Sequence, residues 1–210
     1  MTVPQSVFPS AAAASTLVEL LRRRALDAPT QRAYTFLVDG DAQELHLTYG
    51  ELDNRARRIA AVLQQVSKPG DRVLLLYPPG LGYVAAFFGC LYAQLIAVPA
   101  YPPDPSRFSR SLPRLRAIIE DSRSTIALTT DPILNRARLL FDESPLLKSM
   151  NWMSVDAVEE SVANDWRELP VSAEALAFPA VQVFLERVAA VRNADTVDRR
   201  RCSDCRKHLP

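Results

Sequence analysis

The sequence predicts an α/β fold, a partial parallel sheet with flanking helices. Short apolar runs without polar alternation, typical of strands covered on both faces, alternate along the chain with longer segments of helical spacing. The central unit is the clearest part of this pattern. There the strand Arg72–Tyr77, the apolar helix Leu81–Leu95 and the strand Ile96–Pro99 follow one another, which predicts a β–α–β unit.

The segment before this unit predicts a helix, a hairpin and a second helix. Leucines at helical spacing indicate a helix over Thr16–Ala28, and the strands Ala33–Val38 and Glu44–Thr48 flank an Asp-Gly-Asp turn. Thr48 and Glu51 have the Thr-x-x-Glu spacing of a capping box, which predicts that the second helix starts there and runs to about residue 65.

The segment after the unit continues the alternation. A helix over Ser111–Ser122 is predicted, with Ser111 as its cap and Pro113 in its first turn. The elements predicted beyond it are the strand Ser124–Thr129, the helix Pro132–Leu140, a short strand over Asn151–Val155 and a surface loop over Asp165–Glu174.

Composition excludes several classes of protein. The chain has 210 residues, of which 48% are hydrophobic and 23% charged, as in ordinary globular domains. The net charge of +1 gives no overall field that would attract nucleic acid. Three cysteines form no disulfide framework, so we expect a cytoplasmic location. Residues 1–15 lack Lys and Arg and are predicted to be a flexible N-terminus rather than a signal peptide.

No membrane span is predicted. The stretch between Arg72 and Asp104 carries no charged residue, but several prolines and glycines interrupt it. Its longest helix-compatible piece, Leu81–Val98, lies at the lower limit of length for crossing a bilayer, about 18 residues. Burial within the protein is therefore the favoured interpretation.

Candidate binding residues follow from the position of the strands. Ligands bind beyond the carboxyl ends of strands in open parallel sheets, so Tyr77, Pro78 and Pro79 are predicted to face a substrate crevice. Tyr101 follows the next strand and is a candidate for the same reason. The alternative is that these residues are rigid connectors with no ligand. Cys90 lies among aromatic residues and is predicted to be an inert, buried thiol.

No metal site and no catalytic residue are predicted. Cys202, Cys205 and His208 offer three ligands where tetrahedral zinc requires four, and His46 is far away in the sequence. The basic residues near them have no aromatic neighbours for stacking on bases, so a solvated tail is favoured over a nucleic-acid partner. A small zinc- or nucleic-acid-binding function of this tail remains an alternative.

Several blocks together resemble the fatty-acyl-AMP ligases, a branch of the adenylate-forming enzymes. The blocks are YTFL at Tyr34–Leu37, LTYGELD at Leu47–Asp53, GDRVLLLYPPGLG at Gly70–Gly82, FFGCLY at Phe87–Tyr92, AVPAYPP at Ala97–Pro103, LRAIIED at Leu115–Asp121 and ALAF at Ala175–Phe178. The resemblance implies that residues 16–178 form the first part of an AMP-dependent synthetase/ligase N-terminal domain, and that the sheet belongs to its first subdomain.

The resemblance implies an enzyme that activates a fatty acid with ATP and Mg²⁺ and passes the acyl group to an acyl carrier protein or polyketide synthase. In the family a phosphate loop of the TSGSTG type follows ALAF, and no such block follows Phe178. The resemblance therefore carries over no catalytic residue, no residue present supports ATP or Mg²⁺ binding, and we expect the chain alone to be inactive. The alternative is a non-catalytic acyl-binding or protein-interaction module.

Residues 179–210 depart from the family pattern. They contain no Gly and are rich in Arg. Because the departure falls at the phosphate loop, we interpret this tail as the product of a frameshift or a truncated reading frame. The rival interpretation is a native tail with a function of its own.

Overall fold

The computed structural model describes residues 14, 16–38, 43–102, 108–142, 144–156 and 158–169. All of them belong to the first of two compact units, Met1–Ala177. The predicted tail, including Cys202, Cys205 and His208, lies outside the described residues, as do most of residues 1–15. The predicted domain boundary at residue 178 stays a prediction.

The N-terminal elements agree closely with the sequence pattern. They are the helix α1 (Leu17–Asp27), the antiparallel strands β1 (Arg32–Leu37) and β2 (Glu44–Thr48), and the helix α2 (Tyr49–Val66). The capping box is present: the Glu51 carboxylate accepts a hydrogen bond from the Thr48 amide at 2.9 Å, and the Glu51 amide donates to Thr48 Oγ1 at 3.3 Å. Two of the first orphan amides of α2 are thereby satisfied.

A four-stranded parallel sheet follows, in the order β4-β3-β5-β6. The remaining elements are β3 (Arg72–Leu76), α3 (Leu81–Tyr92), β4 (Ile96–Ala100), α4 (Phe108–Ser122), β5 (Ile126–Thr129), α5 (Asp131–Arg138), α6 (Pro145–Ser149), β6 (Asn151–Ser154) and a 3₁₀ helix over Glu160–Asp165. The predicted fold class, a parallel sheet flanked by helices, is confirmed.

Both faces of the central strand are buried, which explains why its sequence does not alternate. Val73 and Leu75 pack into the core formed with α1, α2 and α3, whereas Leu74 and Leu76 point to the opposite face. All four side chains are fully buried. A strand in this position has no solvent side, so an uninterrupted apolar run is the expected pattern.

Helices α2 and α3 approach each other closely at Gly89. A Cβ atom at this position would lie 2.6 Å from Ile59 Cβ, closer than side-chain carbons come to one another. Gly89 therefore sets the distance between the two helices that flank the site described below. In addition, Gly80, the residue before α3, has a φ of 151°, a value that side chains disfavour.

Two helix boundaries differ from the prediction. Helix α3 ends at Tyr92 rather than near residue 95, because the chain turns through Gln94 at a φ of 57° into β4. Helix α4 begins at Phe108, so Ser111 is not its cap and Pro113 lies inside the helix. Pro113 is the sixth residue of α4, beyond the first turn, so its missing amide donor removes one helical hydrogen bond.

The prediction of a surface loop over Asp165–Glu174 is wrong at its start, because Asp165 ends a 3₁₀ helix and Trp166 packs against the core. Trp166 is half-buried against the core, its ring centroid lies 5.1 Å from that of Tyr92, and its indole donates to the Tyr92 carbonyl at 3.1 Å. Among the described residues, no helix is both long and apolar enough to cross a membrane.

Candidate functional site

The strand order creates a crevice at one end of the sheet. The strands β3 and β5 are neighbours in the centre of the sheet. From β3 the chain continues to β4 on one side, and from β5 it continues to β6 on the other side. Connections that diverge in this way leave a gap outside the carboxyl ends of the two strands from which they part, here β3 and β5. The residues that follow these strands are therefore the first candidates for a binding site.

A cleft of about 640 Å³ lies at this position. Tyr77 follows β3, Thr130 follows β5, and Val155 and Asp156 follow β6. The rest of the lining comes from the two helices and from the segment after β6: Gly50, Glu51, Asn54, Arg55, Arg58, Ile59, Gly82, Ala85, Val158 and Glu160. The volume is in the range of small-molecule sites, roughly 300–1,000 Å³.

The arginines and the carboxylates of the cleft differ in how they are engaged. Glu51 accepts hydrogen bonds from Thr48, and Asp156 accepts one from the Asp131 amide at 2.7 Å, so both carboxylates hold the backbone in place. Arg55 and Arg58 form no hydrogen bond and no close ion pair with any described residue, although the charge of Arg55 helps to lower the pKa of Glu51. The positive groups of the cleft are thus open to a ligand.

The hydroxyl group of Tyr77 is buried without a partner. The side chain is 6% exposed, and its Oη atom has no hydrogen-bond partner among the described residues. Burial, with smaller contributions from Cys90 and Asp156, raises the pKa of Tyr77 well above its ordinary value. The group therefore stays protonated and can donate a hydrogen bond at any physiological pH.

The structure separates the predicted site residues. Tyr77 lines the cleft, whereas Pro78 and Pro79 are exposed and lie outside its lining. Tyr101 is 73% exposed and also lies outside the lining. Sequence reasoning missed Arg55 and Arg58, because arginines on an amphipathic helix are usually solvated and only the sheet topology places them at the crevice.

The described residues contain no activated nucleophile at the cleft. Cys90 is fully buried, and burial raises its pKa to about 12, which keeps the thiol protonated as predicted. His46 instead lies on β2, where its ring contacts Thr35 at 3.2 Å and Glu44 at 3.3 Å.

The described residues do not fit the family's Mg²⁺. No three His, Cys, Asp or Glu side chains converge in a way that could hold a metal ion within this part of the chain. These residues therefore support no catalytic step at a metal ion.

A second group of polar side chains lies at the other side of α2. The buried Asp53 accepts a hydrogen bond from Tyr92 Oη at 2.8 Å and one from Arg57 Nε at 2.9 Å. Arg22 lies over the Trp166 ring, 4.9 Å from its centroid, and pairs with Glu168. We call the three residues Asp53, Arg57 and Tyr92 the α2 network.

The fold and the sequence define the class of protein. The model of the AMP-binding enzyme family matches residues 21–196, most of the chain, so the chain belongs to this family. The resemblance to fatty-acyl-AMP ligases is confirmed by individual relatives. The medium-chain-fatty-acid–acyl-carrier-protein ligase JamA of Moorena producens is 39% identical over 165 residues, which cover 78% of this chain and 28% of that protein.

Two further comparisons agree. The long-chain-fatty-acid–AMP ligase FadD32 of Mycolicibacterium smegmatis is 36% identical over 156 residues, or 72% of this chain and 24% of the relative. The crystal structure of a fatty acyl-adenylate ligase from L. pneumophila, in complex with acyl adenylate and pyrophosphate, superposes with a TM-score of 0.69 at 34% identity. That match covers 79% of this chain and 27% of the Legionella chain. The chain thus spans less than a third of each protein.

Proposed function

We propose that this chain provides the first sheet of an enzyme that activates a fatty acid with ATP as an acyl-adenylate. The observation that carries the proposal is the family match over residues 21–196, together with relatives whose names describe fatty-acid ligation. Use of ATP with Mg²⁺, transfer to an acyl carrier protein or polyketide synthase, and a cytoplasmic location are further parts of the proposal.

Catalysis is not expected from these 210 residues alone. The chain has no TSGSTG block, and the described residues provide no metal ligands. Positioning and electrostatic stabilisation are the main sources of rate in transfers at phosphorus, and both need groups that this sequence lacks. The role proposed for residues 16–178 is to form a wall of the site, with Tyr77 as the binding candidate at the crevice.

ATP–pyrophosphate exchange tests this proposal in two samples. The purified 210-residue chain with Mg²⁺ and a panel of fatty acids is expected to give no exchange above background. A chimera that carries residues 16–169 of this chain in place of the matching segment of the Legionella ligase is expected to give fatty-acid-dependent exchange.

Both outcomes of the chimera experiment are informative when folding is checked by circular dichroism. A folded chimera without exchange would contradict the proposed role of the sheet. Exchange by the 210-residue chain itself would contradict the proposed inactivity and would favour an unrecognised ATP site.

We also propose that residues 179–210 arise from a shifted reading frame. Support comes from the genetic code: codons for Pro179–Val188, read one base later, can spell LQYRSSSSG directly after Phe178. This string agrees with LQYTSGSTG, the phosphate loop that the resemblance implies, at its first three residues and at its fifth, seventh and ninth.

DNA sequencing across codon 178 tests the frame. The expected result is a Gly/Ser-rich phosphate-loop block in the shifted frame, followed by further coding sequence. A shifted frame with an early stop codon, and no such block in any frame, would instead favour a native tail and the alternative of a non-catalytic acyl-binding or interaction module.

A further inference from the structure

We propose that Arg22, Gln64 and Tyr92 form a peptide-recognition site, which the chain fills with its own residues 166–168. The three receiving residues come from α1, α2 and α3, and we call them the dock. Residues 166–168 are called the clasp. The same segment, supplied as a separate peptide, enters the dock when the chain's own clasp is removed. This inference goes beyond the proposed function and uses no group that lines the cleft.

Trp166 is the anchor of the clasp. Its ring centroid lies 5.1 Å from that of Tyr92, and the guanidinium carbon of Arg22 lies 4.9 Å from the centre of the Trp166 ring. The indole donates to the Tyr92 carbonyl at 3.1 Å, so its one polar group is satisfied where the ring packs. Tryptophan is enriched among the residues that dominate binding energy at interfaces. The dock therefore recognises an aromatic side chain with a donor.

Gln64 binds the backbone of the next residue. Its amide nitrogen donates to the Arg167 carbonyl at 2.9 Å, and its amide oxygen accepts from the Arg167 amide at 3.1 Å. This pair of bonds is the one that a neighbouring β-strand would offer to an added peptide. The Arg167 side chain is exposed, so any residue can occupy this position.

The third contact sets the direction of the clasp. Glu168 forms an ion pair with Arg22, the same residue that lies over the Trp166 ring. The pair is exposed, so it adds little affinity by itself, but a reversed peptide could not place a carboxylate there. The partner class is therefore an extended peptide with an aromatic residue followed two positions later by an acidic one.

The dock keeps its shape without the clasp. The Tyr92 hydroxyl donates to Asp53 at 2.8 Å, a bond that involves no clasp residue. Helices α1, α2 and α3 share one core, which fixes the spacing of the three dock residues. A site that is already ordered loses little entropy when a peptide enters.

The clasp can leave without unfolding the sheet. It belongs to no strand, and within residues 160–169 only Ala163 is buried. Segments with few buried side chains open at a lower cost than the core. The contacts of the clasp with Tyr92 and Gln64 span 74 and 103 positions of the sequence, so the dock and the clasp are separate pieces of chain.

Isothermal titration with a peptide of residues 159–169 tests the dock in the 210-residue chain. Saturable binding is expected for the Trp166→Ala chain, whose own anchor is gone. The wild type is expected to bind the peptide at least about tenfold more weakly, because its tethered clasp competes at high effective concentration. A peptide carrying Trp166→Ala is expected to lose measurable binding. Absence of saturable binding by a Trp166→Ala chain with a native circular dichroism spectrum would overturn the proposal.

A matched pair of variants locates the site. Gln64→Ala, added to the Trp166→Ala chain, is expected to weaken peptide binding several-fold, because both bonds to the backbone of position 167 are lost. The control is Gln65→Ala, which removes the exposed neighbouring glutamine outside the dock. Equal weakening by the two variants would contradict the assignment.

Native-state hydrogen exchange of the wild type requires no variant. The Arg167 amide is expected to exchange through a local opening that is insensitive to urea, whereas amides of β3 should exchange only on global unfolding. Exchange of the Arg167 amide only on global unfolding would overturn the proposal even if Trp166→Ala failed to fold.

Discussion

The two sides of helix α2 carry the same residue types in opposite states. In the α2 network, Arg57 Nε and the Tyr92 hydroxyl both donate to Asp53, so each oxygen of this carboxylate has a partner. At the cleft, Arg55, Arg58 and the Tyr77 hydroxyl form no hydrogen bond with any described residue. Arg55 and Arg57 lie two residues apart on one helix, but only Arg57 forms a hydrogen bond with a described residue.

The difference separates stability from binding. Satisfied buried groups specify one arrangement of the core, because losing any partner leaves another group unpaired in a medium of low dielectric constant. Polar groups at a crevice that form no hydrogen bond add none to the stability of the folded state and remain available to a ligand. We expect substitutions in the α2 network to lower the free energy of unfolding, and removal of the Arg55 or Arg58 guanidinium or of the Tyr77 hydroxyl not to lower it appreciably.

The largest effect is expected for Asp53→Ala. Removing this carboxylate leaves Arg57 and the Tyr92 hydroxyl without an acceptor, which costs roughly 2–3 kcal/mol of unfolding free energy. Urea denaturation monitored by circular dichroism measures it. The control is Asp142→Ala, whose ion pair with Lys148 is exposed and should contribute at most about 0.5 kcal/mol. Equal losses in the two variants would contradict the structural role of the network.

A smaller effect is expected from removing one hydroxyl group. Tyr92→Phe deletes the donor to Asp53 and should cost about 1 kcal/mol, the usual net value of a hydrogen bond. Tyr77→Phe deletes a hydroxyl that has no partner, so stability without ligand should stay the same or rise slightly. The urea midpoints of the two variants measure this difference. A larger loss of unfolding free energy in Tyr77→Phe than in Tyr92→Phe would contradict the contrast between the cleft and the α2 network.

The smallest effect concerns pH and Glu51. Hydrogen bonds from Thr48, through its amide and its hydroxyl, hold the pKa of the Glu51 carboxyl below its ordinary value of 4.5. A carboxyl whose pKa is lower in the folded state stabilises the protein above its unfolded pKa, and this contribution is lost as the pH falls through the folded value. The stability difference between wild type and Glu51→Gln should therefore shrink below about pH 4.5. A difference that grows on acidification would contradict the capping geometry.

The capping box illustrates what could be predicted from the sequence. Thr48 and Glu51 interact within one helical turn, so spacing alone identifies them. The strands around β3 could also be predicted from the sequence, because a strand buried on both faces appears as an unbroken run of apolar residues. Where the chemistry is local, the predicted elements agree with the structure within a few residues.

Contacts between distant residues could not be predicted in this way. Trp166 donates to a carbonyl 74 positions earlier in the chain, and no local pattern marks that pairing. Arg55 and Arg58 belong to an ordinary helical surface until the topology brings β3 and β5 beside them. The rule that ligands bind beyond the carboxyl ends of parallel strands named Tyr77, but it named Pro78, Pro79 and Tyr101 as well, which lie outside the cleft lining, and it could not name the arginines.

The position of Trp166 gives the protein an optical reporter. Of the two tryptophans, Trp152 lies in β6 with its indole bonded to the Leu147 carbonyl, and Trp166 packs on Tyr92 beneath Arg22. A single Trp152→Phe variant would leave all indole emission to the Trp166 ring. Release of the segment that holds Trp166 would then appear as a red shift in fluorescence, separate from the unfolding of the sheet.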